Sequence, residues 1–130
     1  SVLAVHPRVL VLDEPVSAMD PEGSVSLYKL LYKIHQKYNM TVIVVEHNLD
    51  YVLPYVTDMI VLQDGSVVAS GSFEEAASIA YEDRELRRIL PALWQVKFNL
   101  EKRDGIHLGM WRKTSDAISE LKEKYGRAEL

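Results

Sequence analysis

The sequence predicts an α/β fold with parallel strands, followed by a β-hairpin and a helical tail. Three observations carry that prediction. Two short aliphatic runs, Val9-Leu10-Val11-Leu12 and Thr41-Val42-Ile43-Val44-Val45, are separated by a segment with helical periodicity. Runs so uniformly apolar suit strands of a parallel sheet buried on both faces, and the order strand, helix, strand gives a right-handed crossover between parallel neighbours. Asp64-Gly65 lies between the apolar segments 59–62 and 66–70 and signals a tight hairpin turn. From Phe73 onward the pattern becomes helical and more charged, so the sheet is expected to end there.

In chain order, Asp20 is a good N-cap and Pro21 suits the first turn of the helix that links the two runs. Leu27, Leu30, Leu31, Ile34 and Tyr38 share one of its faces, and Asn39 can cap its end. A helix over 48–56 is expected after the second strand. Gly71 closes the hairpin, Glu74-Glu75 enters a short helix, and 81–90 continues as another. Pro91 opens a helix carrying Leu93, Trp94, Phe98 and Leu100, which Asp104-Gly105 ends. The last helix, 115–125, has Ala117, Ile118 and Leu121 on one side and stops at Gly126. The compositional shift divides the chain into 1–72 and 73–130.

A chain of 130 residues is long enough for one domain with a sizeable core. Its net charge of −4, with no basic run interleaved with aromatics, argues against nucleic acid as a partner. Trp94 and Trp111 accordingly read as core or interface anchors rather than base-stacking platforms. The absence of cysteine removes disulfide and thiolate chemistry and fits a reducing compartment. No apolar run approaches the roughly 20 residues of a membrane span, and residues 1–5 lack the basic flank of a signal peptide.

Chemistry is expected where the strands end. Ligands of open α/β sheets gather at the carboxyl ends of parallel strands. Asp13-Glu14 follows the first run and Glu46-His47 the second. Neighbouring strands lie about 4.8 Å apart, close enough for such side chains to share a metal or a phosphate. One carboxylate can hold Mg²⁺ while its neighbour orients an attacking water, and an imidazole can contact a phosphate oxygen.

Val9-Leu10-Val11-Leu12-Asp13-Glu14-Pro15-Val16-Ser17-Ala18-Met19-Asp20 resembles the Walker B strand and D-loop of ATP-binding-cassette (ABC) ATPases, and Val44-Val45-Glu46-His47 resembles their switch-histidine segment. One amphipathic helix separates the two, as in that family. Asp58-Met59-Ile60-Val61-Leu62 with Asp64-Gly65 and Gly71 resembles the hairpin that follows. The resemblance implies a partial P-loop NTPase fold in which Asp13 holds the Mg²⁺ of Mg-ATP, Glu14 polarises the attacking water and His47 touches the γ-phosphate. It implies that Asp20 and Ser17, with Ala18, communicate with nucleotide across a dimer interface. Val16 and Met19 depart from the Thr and Leu that are frequent at these positions. Ile89-Leu90-Pro91, Leu100, Gly105-Ile106 and Ser115-Asp116-Ala117-Ile118 resemble the C-terminal extension of energy-coupling-factor and cobalt- or nickel-uptake ATPases, which is associated with dimerisation.

The family's glycine-rich phosphate loop, its glutamine loop and its signature sequence do not occur in these 130 residues. All precede the Walker B strand in the family, and residues 1–5 resemble the end of the helix after the signature. The chain is therefore expected to be the C-terminal part of a longer ATPase subunit, inactive by itself, and poorly stable or self-associating. The full subunit would be an ATP-hydrolysing component of a membrane transporter. It would pair with a second ATPase subunit and a transmembrane subunit, peripherally at the cytoplasmic face of the membrane.

Each residue also has a simpler reading. Asp13 alone would be an ordinary strand-end acid, and capping explains Asp20 completely. His6, His35 and His107 lack the context of His47 and read as structural or surface residues. Other classes that use the same acids are a soluble ABC ATPase of DNA repair or translation, a metal-dependent phosphohydrolase with Asp13, Glu14, Glu46 and His47 as ligands, and a non-catalytic interaction module.

Overall fold

A computed structural model describes residues 7–126. The reading of residues 1–5 and that of His6 lie outside the described residues. The chain forms two compact units that divide between His47 and Asn48. The compositional shift near residue 73 does not coincide with this division, because the hairpin packs against the helix that begins at Phe73.

The first unit contains strand β1 (Val9–Asp13), helix α1 (Pro21–Tyr38) and strand β2 (Thr41–Val45). The strands are parallel and in register from Val9 opposite Thr41 to Asp13 opposite Val45. Helix α1 starts and stops where its caps predict: Asp20 Oδ1 accepts from the Gly23 N–H at 2.7 Å, and Asn39 takes the left-handed conformation at φ 50°. Its buried stripe is Ser24, Tyr28, Leu31 and Ile34, whereas Leu30 and Tyr38 are exposed. The helix is thus turned from the expected face, since it is the 24, 28, 31, 34 spacing that keeps one line of side chains beneath the sheet.

The strands also depart from the expectation of burial on both faces. Leu10, Leu12, Val42 and Val44 are half-buried, but Val9, Val11, Ile43 and Val45 are 48–61% exposed. Among the described residues of this unit α1 is the one helix, and it can cover only one side of a two-stranded sheet.

The second unit opens with a turn over 50–55 instead of the helix expected over 48–56. Pro54 lacks an N–H and disfavours helical geometry at Leu53. Isolated turn bonds form instead, from Leu53 N–H to Leu49 C=O and from the Tyr55 and Val56 N–H groups to Val52 C=O. Strands β3 (Asp58–Gln63) and β4 (Ser66–Ser72) form the predicted hairpin. Asp64 and Gly65 have φ of 50° and 78°, the paired positive values of a type I′ turn.

Helix α2 (Phe73–Glu82) begins with a capping box between Ser72 and Glu75. The second helix expected over 81–90 shrinks to a 3₁₀ turn, Leu86–Ile89. Asp83 Oδ1 accepts from the N–H groups of Glu85 and Leu86, a local alternative to continued helix. Helices α3 (Ala92–Asp104) and α4 (Thr114–Tyr125) follow as predicted, with Gly105 capping α3 in the left-handed region.

The core of this unit joins Leu53, Val61 and Ala69 to Phe73, Ala76, Ala77, Ala80, Trp94 and Phe98. Trp94 stands edge-on to Phe73 at 4.8 Å between centroids. A smaller cluster holds Leu108, Trp111 and Ala117, so both tryptophans are core anchors. The Arg112 guanidinium donates to the carbonyls of Leu53 and Val56, tying the tail to the 50–55 turn. Among the described residues no helix is long and apolar enough to cross a membrane.

Candidate functional site

Of the strand-end residues of the first unit, Glu14 and His47 come together, and an interruption in the backbone is what allows it. Regular alternation would turn Glu14 to the same side as Leu12, towards α1. Instead Glu14 takes φ 46°, rare for a non-glycine residue, while its N–H still bonds the Val45 carbonyl at 2.8 Å. Its Oε1 accepts from His47 Nδ1 at 2.8 Å. A carboxylate can only accept, so the Nδ1 position of His47 bears the proton and Nε2 is the free edge of the ring. Both side chains remain open, His47 at 73% and Glu14 at 47% exposure.

Asp13, the last residue of β1, lies on the exposed side of the strand with Val9 and Val11. Among the described residues its carboxylate engages no hydrogen bond or ion pair. An accessible, uncommitted carboxylate beside open water suits Mg²⁺, which keeps several waters and takes one or two protein carboxylates. Ser17 N–H bonds the Glu14 carbonyl at 3.2 Å, which closes the loop after β1. Asp20 spends one oxygen on capping α1. Glu46, half-buried, faces the other way from His47: its Oε1 accepts from the Tyr28 hydroxyl at 2.7 Å. Burial first, and then the neighbouring Glu46 carboxylate, push the Tyr28 hydroxyl well above the usual tyrosine range, so it stays a donor. Sequence reasoning missed Tyr28, because an aromatic residue in a helix stripe looks like any core residue.

The chain is 39% identical over 107 residues to the energy-coupling factor transporter ATP-binding protein EcfA2 of a Bacillus cereus strain, a match covering 82% of this chain and 36% of that protein. The chain belongs to the ABC ATPases. EcfA2 of Geobacillus kaustophilus is 32% identical over 127 residues, or 95% of this chain and 44% of the relative. The chain thus spans less than half the length of these ABC relatives. A crystal structure of the ADP conformation of an ATP-binding cassette of an ABC transporter superposes with a TM-score of 0.56 at 28% identity, covering 67% of this chain and 34% of that one. No protein-family model matches. The partial P-loop NTPase fold expected from the motifs is therefore the one found, and the relatives carry the energy-coupling-factor name that the tail resembles.

A second cluster of ionisable groups in this ABC chain lies in the tail. Among the described residues, Glu74, Glu101 and His107 are the set whose possible metal-ligating atoms lie within 4.8 Å of one another. The fully buried Lys97 ammonium already stands there, bonded to Glu74 Oε1 at 3.4 Å and to Glu101 Oε1. It also lies over the Trp94 and Phe98 rings, at 4.7 and 4.9 Å from their centroids. This is an internal cation with its counter-ions. Lysine is ordinarily a surface residue, so the sequence carries no local signal of it.

Proposed function

We infer that this chain supplies the metal-side and water-side part of the ATP-hydrolysing site of an ABC ATPase subunit in a membrane transporter. The observation that carries this reading is the pairing of Glu14 with His47 at the ends of adjacent parallel strands, with Asp13 uncommitted beside them. Asp13 would hold Mg²⁺, whose charge would be shared with the phosphates of bound ATP. Glu14 would orient the attacking water and take its proton, at a carboxylate already held in place by His47 Nδ1–H. The free Nε2 edge of His47 would face the γ-phosphate, where donating a hydrogen bond requires the ring to carry both protons.

Asp20 and Ser17 would communicate across an interface with a second ATPase subunit, and a transmembrane subunit would make the whole assembly peripheral to the membrane at its cytoplasmic face. The EcfA2 names of the relatives support the transporter context. The phosphohydrolase reading is less favoured, because Glu46 is turned to Tyr28, on the side away from His47.

The test is Mg-ATP hydrolysis by the protein as its gene encodes it, with its native partners. Glu14→Gln should lower turnover by about 10²–10⁴-fold while ATP still binds; unchanged turnover would overturn the proposal. These 130 residues contain no glycine-rich phosphate loop, so calorimetric titration of this chain with Mg-ATP should show no micromolar affinity.

A further inference from the structure

We propose that Tyr28 and Glu46 form a positioning pair that sets the orientation of His47. The inference rests on the reading of Glu14 and His47 as the hydrolytic pair. β2 ends at Val45, so no strand ladder holds residues 46 and 47. Beyond that point a side-chain tie takes over. The Tyr28 hydroxyl reaches from the buried stripe of α1 to Glu46 Oε1 at 2.7 Å, with Tyr28 only 3% exposed.

Successive residues of an extended chain point to opposite faces. The exposure of β2 alternates in this way, with Val42 and Val44 half-buried and Ile43 and Val45 open, and Glu46 and His47 continue the alternation. Holding Glu46 against the helix therefore presents His47 on the open side. Glu14, displaced from regular alternation by its φ of 46°, meets His47 at 2.8 Å. Without the Tyr28 hydroxyl, the half-buried Glu46 carboxylate would have every reason to rotate towards water. The 46–47 peptide would then be free to turn, and a catalytic group misplaced by about 1 Å can cost about 100-fold in rate.

Tyr28 touches neither nucleotide nor water in this scheme and acts only through Glu46. A structural role alone would lower stability and spare the chemistry. The pair can be separated from that role in the gene-encoded protein with its native partners, by measuring kcat and KM for Mg-ATP alongside thermal unfolding. Tyr28→Phe keeps the ring packing and removes the hydroxyl. It should lower kcat by about 10- to 100-fold with KM for ATP unchanged. Glu46→Ala should give the same split if the first variant folds poorly, and Glu46→Gln, which keeps an accepting oxygen, should recover most of the activity.

Wild-type kcat in both Tyr28→Phe and Glu46→Ala, with His47→Ala inactive, would overturn the positioning pair and leave the hydrolytic reading intact. A fall in thermal midpoint with kcat unchanged would do the same. Wild-type kcat in His47→Ala, or no ATP hydrolysis by the assembled protein, would overturn the hydrolytic reading and this inference with it.

Discussion

His47 Nδ1 donates to Glu14 Oε1 at 2.8 Å, joining two residues 33 positions apart whose backbones leave adjacent parallel strands. The bond fixes the ring tautomer before any ligand arrives. In nitrogen-resolved NMR spectra of the neutral ring, His47 should carry its proton on Nδ1. Glu14→Ala should shift it towards Nε2. His35, whose Nδ1 bonds the Met40 carbonyl instead, is the internal control and should not change.

The ion cluster around Lys97 makes a second prediction. Removing one member of a buried ion pair leaves the other uncompensated, whereas replacing both with apolar groups is far milder. Lys97→Met should destabilise the second unit by about 3 kcal/mol, somewhat below the fully buried case because Glu101 retains partial access to water. Adding Glu101→Leu should restore more than half of the loss. Urea unfolding followed by tryptophan fluorescence measures both, since Trp94 lies under the ammonium.

Much of this fold was legible in the sequence, and the illegible parts share a cause. The ends of α1 follow from Asp20, Pro21 and Asn39, and the hairpin from Asp64-Gly65, because caps and turns are local chemistry. Glu14 and His47 were legible through their motifs. Pro54 was also visible, and the helix expected over 48–56 failed on it. What could not be read locally were relations at a distance: the Tyr28–Glu46 bond, the burial of Lys97, and the uncovered side of β1 and β2. An apolar run states that a strand seeks cover, but not where the cover comes from.

Acid should loosen the tail through Glu120. Burial pushes its carboxyl pKa up, but hydrogen bonds from the Gly109 N–H and the Trp111 indole outweigh this and leave it below the usual carboxylate range. A carboxyl depressed in the folded state adds stability that is fully present above its unfolded value, about 4.3, and is lost as pH falls through the folded value. Trp111 fluorescence should therefore change on acidification below about pH 4. In Glu120→Gln, which cannot titrate, that part of the change should disappear.

Gly71 is the position of least tolerance in the hairpin. Its φ is 138°, and a Cβ there would come within 2.5 Å of Glu75 Oε2. That oxygen accepts from the Ser72 N–H in the capping box of α2. Gly71→Ala should cost about 1–3 kcal/mol through backbone strain and loss of the box. Calorimetric unfolding of the variant, compared with Glu75→Ala, separates the two contributions.

Asp20 answers to two demands at once. One of its oxygens is bound to the start of α1, and the same residue is the D-loop acid of the proposed subunit interface. Losing it would be recorded by selection as a single event, although a weakened helix and a silenced neighbour are separate injuries. Asparagine would still cap the helix but would speak to the partner without charge. A narrow choice of residues at this position would then reflect two unrelated clients sharing one side chain, and a tally of tolerated substitutions would overstate the importance of either one.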